Sequence, residues 1–372
     1  MRKILMYITI FTCFLFLAAC EDFLTIEPLD KTPATVLFKD VAGVKTVLAN
    51  IYQRMPVEDF NWTVGGWNQH PGGAFGGWHK AGMTDEAVLE GNQGYQPGST
   101  LGAYWDYTSI RQVNQFLEAI LNLKNEGKLA EATYKSLYGE GHFILAYMYF
   151  QMARRYGGVP LIDQVQKLSE SGDNSALFVP RSTEKATWDF VLSKCDLAIA
   201  NLPTSWSTTD GIYRATKWAA LALKSRAALH AASVAKYWDK AALTGDAVTQ
   251  KLVGGMTAAD ANNYYQICIT ASKDLIDNSG KTLYKPNPVN KAEAAKNYQD
   301  IFETPSMAWD EIIFMKAYID GAVTGQQGHD TDFWLYPQQC KFHNLYMSSR
   351  FGATLDIVDL YEDYTDDGTG KS

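Results

Sequence analysis

The chain has 372 residues, of which 47% are hydrophobic, 20% charged and 13% aromatic, with a net charge of -8 and 29 Gly against 12 Pro. Such a composition fits a globular protein with room for two domains and excludes collagenous and disordered chains. The acidic balance argues against nucleic acid as a partner, because phosphate recognition needs Lys and Arg clustered on one face.

Arg2 and Lys3 precede an apolar run from Ile4 to Leu17, too short to span a bilayer but of the length of a secretion-signal core. The run ends in Leu17-Ala18-Ala19-Cys20, which resembles the lipobox at which bacterial lipoproteins are cleaved and acylated. Residues 1–19 are thus expected to be a leader and Cys20 the lipidated first residue of the mature chain. The plainer alternative is an ordinary signal peptide with a coincidental cysteine. With Cys13 in the leader and Cys20 lipidated, Cys195, Cys268 and Cys340 remain, enough for one disulfide at most. Cys195 and Cys268 lie in apolar helical patterns and are expected to be buried small side chains. No CxxC or Cys/His spacing is present, so neither a metal site nor a cofactor is expected.

Past Cys20 no sustained period-two alternation appears, and the expected class is mostly α. Asn61 to Gly102 interrupts the helical pattern with Gly and aromatics. A helix is expected from Tyr107 to Leu123, with Ile110, Val113, Leu117, Ile120 and Leu121 on one stripe. A second runs from Glu131 to Tyr156, carrying Leu137, Phe143, Ala146, Tyr149, Phe150 and Ala153, and stops at Gly157-Gly158-Val159-Pro160. The next opens with Pro180-Arg181-Ser182-Thr183-Glu184, where Ser182 or Thr183 can cap the first free N–H groups, and closes near Leu202-Pro203. Arg214 to Val234 is nearly saturated with alanine, a composition for a helix crossed closely by neighbours. A further helix is expected from Asn262 to Asp277, and Gly321 to Phe351 again breaks the pattern. The whole reads as a scaffold of tetratricopeptide-like helical pairs decorated with long Gly- and aromatic-rich loops, although the ~34-residue signature is not legible in any one pair.

Flat apolar ring faces interleaved with polar side chains are the residue types of a ligand-binding surface. The two loops supply both types. Trp62, Trp67, Trp78 and Tyr95 alternate with Asn and Gln in the first, and Phe333, Trp334 and Tyr336 lie beside Asp330, Asp332, Gln338 and Gln339 in the second. The alternative role for these rings is to anchor the loops on the helical body. Asp85-Glu86 is a poor glycosidase pair, since neighbouring side chains diverge on a regular element; Asp85 either fixes its loop or contacts ligand hydroxyls. GxSxG, HExxH and P-loop patterns are absent, and no enzyme is expected. His70 and His79 lack a third ligand, His142 and His230 read as core or interface residues, and Asp363 to Gly368 reads as a solvated acidic turn.

Several motifs, in order, resemble the SusD/RagB family of nutrient-binding outer-membrane lipoproteins. They are Cys20-Glu21-Asp22-Phe23-Leu24 through Pro28, Met83-Thr84-Asp85-Glu86, Trp105 to Ile110 with Asn114, Gly139 to Phe143 through Tyr156 to Leu161, Pro180-Arg181-Ser182, Arg214 to Lys217 and Asp310 to Phe314. Gly141, His142 and Ile144 depart from the family's common Ala, Arg and Leu. The resemblance implies a helical-repeat region over residues 20–235 and, over 236–372, the start of the family's C-terminal region, ending early. It also implies a non-catalytic receptor at the cell outer membrane, lipid-anchored and facing the surface. Such a receptor takes an oligosaccharide to a SusC-like TonB-dependent transporter, with peptide receptor or glycoside hydrolase as alternatives. Tyr95 and Trp334 are the leading ligand contacts under this resemblance, because the family's ligand face uses a loop after the Asp-Glu motif and one in the later half; Tyr336, Trp78 and Asp85 complete the candidate set.

Overall fold

The computed structural model describes residues 37–56, 87–89, 104–207, 211, 213–304, 309–316, 339, 341–342, 345–346 and 351–359. Helix α1, Val41–Gln53, starts at Asp40, whose carboxylate accepts the Gly43 N–H at 2.8 Å. Helix α2, Tyr107–Asn125, is capped in the same way by Asp106, which accepts the Ser109 N–H at 3.1 Å. Helix α3 covers Glu131–Tyr156, the span that its apolar stripe predicts. Helix α4, Glu184–Asn201, takes Thr183 rather than Ser182 as its cap.

Helix α5 runs Lys217–Tyr237, three residues later at each end than the alanine pattern suggests. Thr216 caps it by accepting the Ala219 N–H, and Arg214 and Ala215 before it are engaged elsewhere. Helix α6, Ala258–Asn278, begins four residues early because Thr257 and Asp260 form a reciprocal capping box. Helix α7, Lys291–Glu303, is capped by Asn290; neither it nor α1 was expected from periodicity. A short helix α8, Leu355–Asp359, follows the last strand.

Contacts between successive helices run in opposite directions along them, so the array is antiparallel. Trp105, just before α2, meets Tyr156 at the end of α3, while Lys124 at the end of α2 sits 4.3 Å over the ring of Tyr134 near the start of α3. Phe150 late in α3 meets Trp188 early in α4, and Gly139 early in α3 lies against Leu202 just after α4. Along α5 and α6, Lys217 pairs with Asp274, Ser225 with Ser272 and Lys236 with the Tyr265 ring.

One core runs through the array. Its largest buried side chains include Trp188, Tyr149, Tyr264, Phe116, Phe143 and Phe150, and it continues past α5 into Met256, Ala261 and Tyr264. Buried alanines at 219, 220, 227, 228, 231, 232 and 235 let α4 and α6 approach α5 from two sides. Every residue of the expected α3 stripe is buried. On α2 the stripe is narrower than expected: Ile110, Val113 and Ile120 are buried, whereas Leu121 is 43% exposed, because the next residue round from Ile120 turns away from α3. Cys195 is buried as expected; Cys268 is only half-buried, at the α5 surface beside Ser225.

The class is mostly α, with four short strands among the described residues. β1, Ala87–Leu89, pairs antiparallel with β4, Phe351–Ala353, placing Val88 opposite Gly352. β2, Lys341–Phe342, pairs with β3, Leu345–Tyr346. The stretches expected as loops therefore contain or adjoin ribbon structure, too short to give a period-two signal.

Candidate functional site

The first Gly- and aromatic-rich segment both leaves and rejoins the helical body at one end of the array. The Gln151 amide on α3 donates to the Pro56 carbonyl at 3.0 Å, and the Tyr104 N–H donates to the Tyr156 hydroxyl at 3.1 Å. Pro56 and Tyr104 also line one small cleft with Asp106, Ile110 and Met148. The second segment departs after residue 316, from a stretch that is fastened differently. There Ile313 packs on Trp218, Leu221 and Ala271, and Phe314 meets Phe143 edge-on at 5.3 Å. Glu311 accepts the Tyr284 N–H at 2.6 Å, and Lys281 donates to the Trp309 carbonyl at 2.6 Å. The β1–β4 pair then links the two segments, since β1 lies within the first and β4 ends the second.

A rigid corner stands beside the first segment's root. Gly157 ends α3 at φ +70°, and a Cβ on Gly158 would lie 1.9 Å from the Ser182 carbonyl oxygen. Arg181 donates to the carbonyls of Tyr156 and Gly158 at 2.7 Å each, closing the end of the helix with positive charge. The chain after the corner is held by the Tyr107 hydroxyl donating to Pro160 at 2.7 Å, by the Ile162 N–H donating to the Tyr149 hydroxyl at 2.8 Å, and by the Asn114 amide donating to Ile162 at 3.1 Å. Burial pushes both phenols well above the usual tyrosine range, so each stays a neutral hydrogen-bonding group. Glu184, the first residue of α4, is buried and accepts the Gly254 N–H; burial raises its carboxyl against that bond.

Deeper in the body, Glu140 is fully buried and accepts from the Arg214 Nε at 2.8 Å and from the Tyr52 hydroxyl at 2.8 Å. The Tyr52 hydroxyl in turn accepts the Ala215 N–H at 2.9 Å, and the Arg214 guanidinium lies 3.7 Å from the centre of the Trp206 ring. Burial raises the Glu140 carboxyl, opposed by Arg214 and Tyr52. The network ties α1 and α3 to the start of α5, and its carboxylate has no open face, which makes it a fastener rather than a site of chemistry. It was missed in the sequence because its members lie at Tyr52, Glu140 and Arg214, with no local spacing to link them.

His142 is buried on α3 against the Tyr138 ring at 4.2 Å, and its Nδ1 has no hydrogen-bond partner. Burial, and after it the Lys194 ammonium, lowers its pKa to about 4. His230 is half-buried with its ring parallel to that of Trp188, an interface role as expected. Among the described residues no group of three His, Cys, Asp or Glu side chains is placed to hold a metal ion, and no helix is long and apolar enough to cross a membrane.

The six site residues expected from the sequence, Cys20, Trp78, Asp85, Tyr95, Trp334 and Tyr336, lie outside the described residues, as do His70, His79 and the acidic tail. Asp85 falls two positions before β1 and Tyr95 six positions after it, so the described ribbon sits between them in the chain. Of the motifs that carry the resemblance, Cys20 to Pro28 and Met83 to Glu86 lie outside the described residues, whereas Gly157-Gly158, Arg181, Arg214, Asn114 and Glu311 are structural fasteners. An exposed aromatic absent from the expected set, Trp105, stands at the root of the first segment.

An antiparallel helical array that carries long inserted segments joined by a strand pair is the class of scaffold this chain presents. The chain belongs to the SusD-like family described as starch-binding and associating with the outer membrane, whose model matches residues 22–229. Among solved structures it is similar to a SusD-like protein from Bacteroides fragilis, at 24% identity over 79% of this chain and 47% of that one, with a TM-score of 0.52. A SusD-like carbohydrate-binding protein from the same organism aligns at 16% identity over 90% of this chain and 55% of that one, with a TM-score of 0.59. A structure with xylogluco-oligosaccharide aligns at 16% identity, covering 86% of this chain and 55% of that one, with a TM-score of 0.51. The chain thus spans about half the length of the solved relatives it matches. No curated protein matches it significantly.

Proposed function

We propose that this chain is a non-catalytic, lipid-anchored receptor at the bacterial cell surface that captures an oligosaccharide and passes it to a SusC-like TonB-dependent transporter in the outer membrane. The observation that carries the reading is the family match over residues 22–229, in a family described as starch-binding and outer-membrane-associated. The solved relative with xylogluco-oligosaccharide supports an oligosaccharide as the ligand class. Residues 1–19 serve as the leader and Cys20 carries the lipid, with residues 20–235 forming the helical-repeat region and 236–372 the start of the C-terminal region. Two or more acyl chains at ~0.8 kcal/mol per buried CH₂ hold the acidic body at the membrane.

In this reading Tyr95, Trp334, Tyr336 and Trp78 offer stacking faces and Asp85 a hydroxyl acceptor. Affinity gels and calorimetry over a panel of polysaccharides and peptides, with product analysis, test it. Glycan binding without cleavage is expected, and Tyr95→Ala or Trp334→Ala should weaken it about tenfold, the equivalent of ~1.4 kcal/mol. Released reducing ends would instead make the protein a hydrolase, and binding confined to peptides would make it a peptide receptor. Cys20→Ala should shift the protein out of the outer-membrane fraction, and unchanged fractionation would remove the lipid anchor.

A further inference from the structure

Trp105 is the exposed ring that the helical body itself holds at the root of the first aromatic-rich segment. It is 44% exposed. For a side chain of about 250 Å² that leaves about 110 Å² open. The rest of the ring is fixed by edge contacts with Tyr107, at 5.5 Å and 64°, and with Tyr156, at 5.2 Å and 84°.

Both supporting rings are tied in their turn, Tyr107 through its bond to the Pro160 carbonyl and Tyr156 through the Tyr104 N–H. These bonds belong to the corner built by Gly157, Gly158 and Arg181, so the indole is mounted on a rigid part of the fold. A ring fixed before binding loses little rotamer entropy when a ligand arrives, and an exposed indole is apolar and electron-rich where pyranose C–H groups are apolar and electron-poor. Phe178 makes a useful contrast, since it is 82% exposed on a stretch between helices.

We infer that Trp105 is a sugar-stacking platform at the root of the ligand face, on which one pyranose ring of an oligosaccharide lies flat. The inference rests on the glycan-receptor reading and adds to it a contact on the helical body. Its test uses the full chain with maltoheptaose, xylogluco-oligosaccharide and a panel of α- and β-glucans and mannans, by calorimetry and by oxidative footprinting read by mass spectrometry.

With the best-binding probe, Trp105→Ala should weaken affinity at least about fivefold, while Trp105→Phe and Phe178→Ala stay within about twofold. Saturating probe should also protect Trp105 from oxidation, a readout that needs no variant and decides the matter if Trp105→Ala fails to fold. Binding by the native chain with Trp105 unprotected, or with a folded Trp105→Ala within twofold of it, overturns the platform and leaves the receptor standing. A native chain that binds no glycan of the panel overturns both.

Discussion

The helical body and the two Gly- and aromatic-rich segments draw on the same residue types for opposite ends. In the body, Gly141 lets Leu117 approach α3 to where a Cβ would sit, and Trp188, Tyr149, Phe143 and Phe150 are sealed inside the core. In Asn61 to Gly102 and Gly321 to Phe351, glycines and rings are interleaved with Asn, Gln and Asp. The family's motifs fall mainly in the body, and the structure shows what they do there: Arg181 closes a helix end, Arg214 neutralises a buried carboxylate, Asn114 and Glu311 hold chain segments in place. Motifs of this kind identify a scaffold. They carry no information on which ligand the scaffold presents, which is why the motifs point to a family and not to a ligand.

If that division holds, substitutions in the body change stability and leave glycan affinity alone. The largest effect should come from Arg214→Ala. It strands the Glu140 carboxylate, fully buried, with Tyr52 as its remaining hydrogen-bond partner among the described residues. Removing one member of a buried pair costs about 3 to 5 kcal/mol, a large share of a domain's stability. The thermal midpoint should fall sharply, whereas replacing both members by apolar residues, as in Glu140→Leu with Arg214→Met, should recover much of the loss. A single variant with an unchanged midpoint would mean that the pair does not fasten α1 and α3 to α5.

His142 provides the next test, through pH. Its folded pKa of about 4 lies below the unfolded value of 6.5, so in acid the unfolded chain binds a proton that the folded chain refuses. Stability from this group is therefore intact above pH 6.5 and is lost as pH falls towards about 4, by at most roughly 3 kcal/mol. Buried carboxylates raised by burial, Glu140 and Glu184, act in the opposite sense, so the informative quantity is the difference between native and His142→Gln denaturation profiles. The native chain should lose stability relative to His142→Gln as pH drops from 6.5 to 4, and a constant offset would show that His142 takes up its proton equally in the folded and unfolded states.

Much of the body was legible in the sequence because its signals are local. The α3 stripe, the Gly157-Gly158 stop and the cap before Glu184 each lie within a few residues, and each appears in the structure where expected. What was lost depended on distant partners. The α5 boundary moved because Arg214 and Ala215 are drawn to Glu140 and Tyr52, and α7 went unnoticed because its buried residues are the polar Asn297 and Asp300, while Tyr298 and Phe302 on it are exposed. Of the candidate site, the residue types were legible and the mounting was not: nothing local marks Trp105 as a ring braced by Tyr156, fifty-one positions away.

The smallest effect expected is also the most discriminating, because it sits beside the Gly157-Gly158 corner at the root of the first segment. Thr183 caps α4 by accepting the Ala186 N–H at 3.2 Å, and its carbonyl accepts the Thr187 hydroxyl at 3.1 Å. Thr183→Ala deletes only the first of these bonds, since the carbonyl stays, and loss of an N-cap costs about 1 kcal/mol. Thr183→Ser keeps the hydroxyl and should restore most of that amount. Urea denaturation should thus show a lower midpoint at constant slope for the alanine variant, while glycan affinity stays within about twofold because no stacking face has changed. A variant that unfolds as the native chain does but binds glycan more weakly would reverse the division. It would mean that the start of α4, next to Arg181 and the Gly157-Gly158 corner, senses the ligand, and that the body takes part in recognition as well as support.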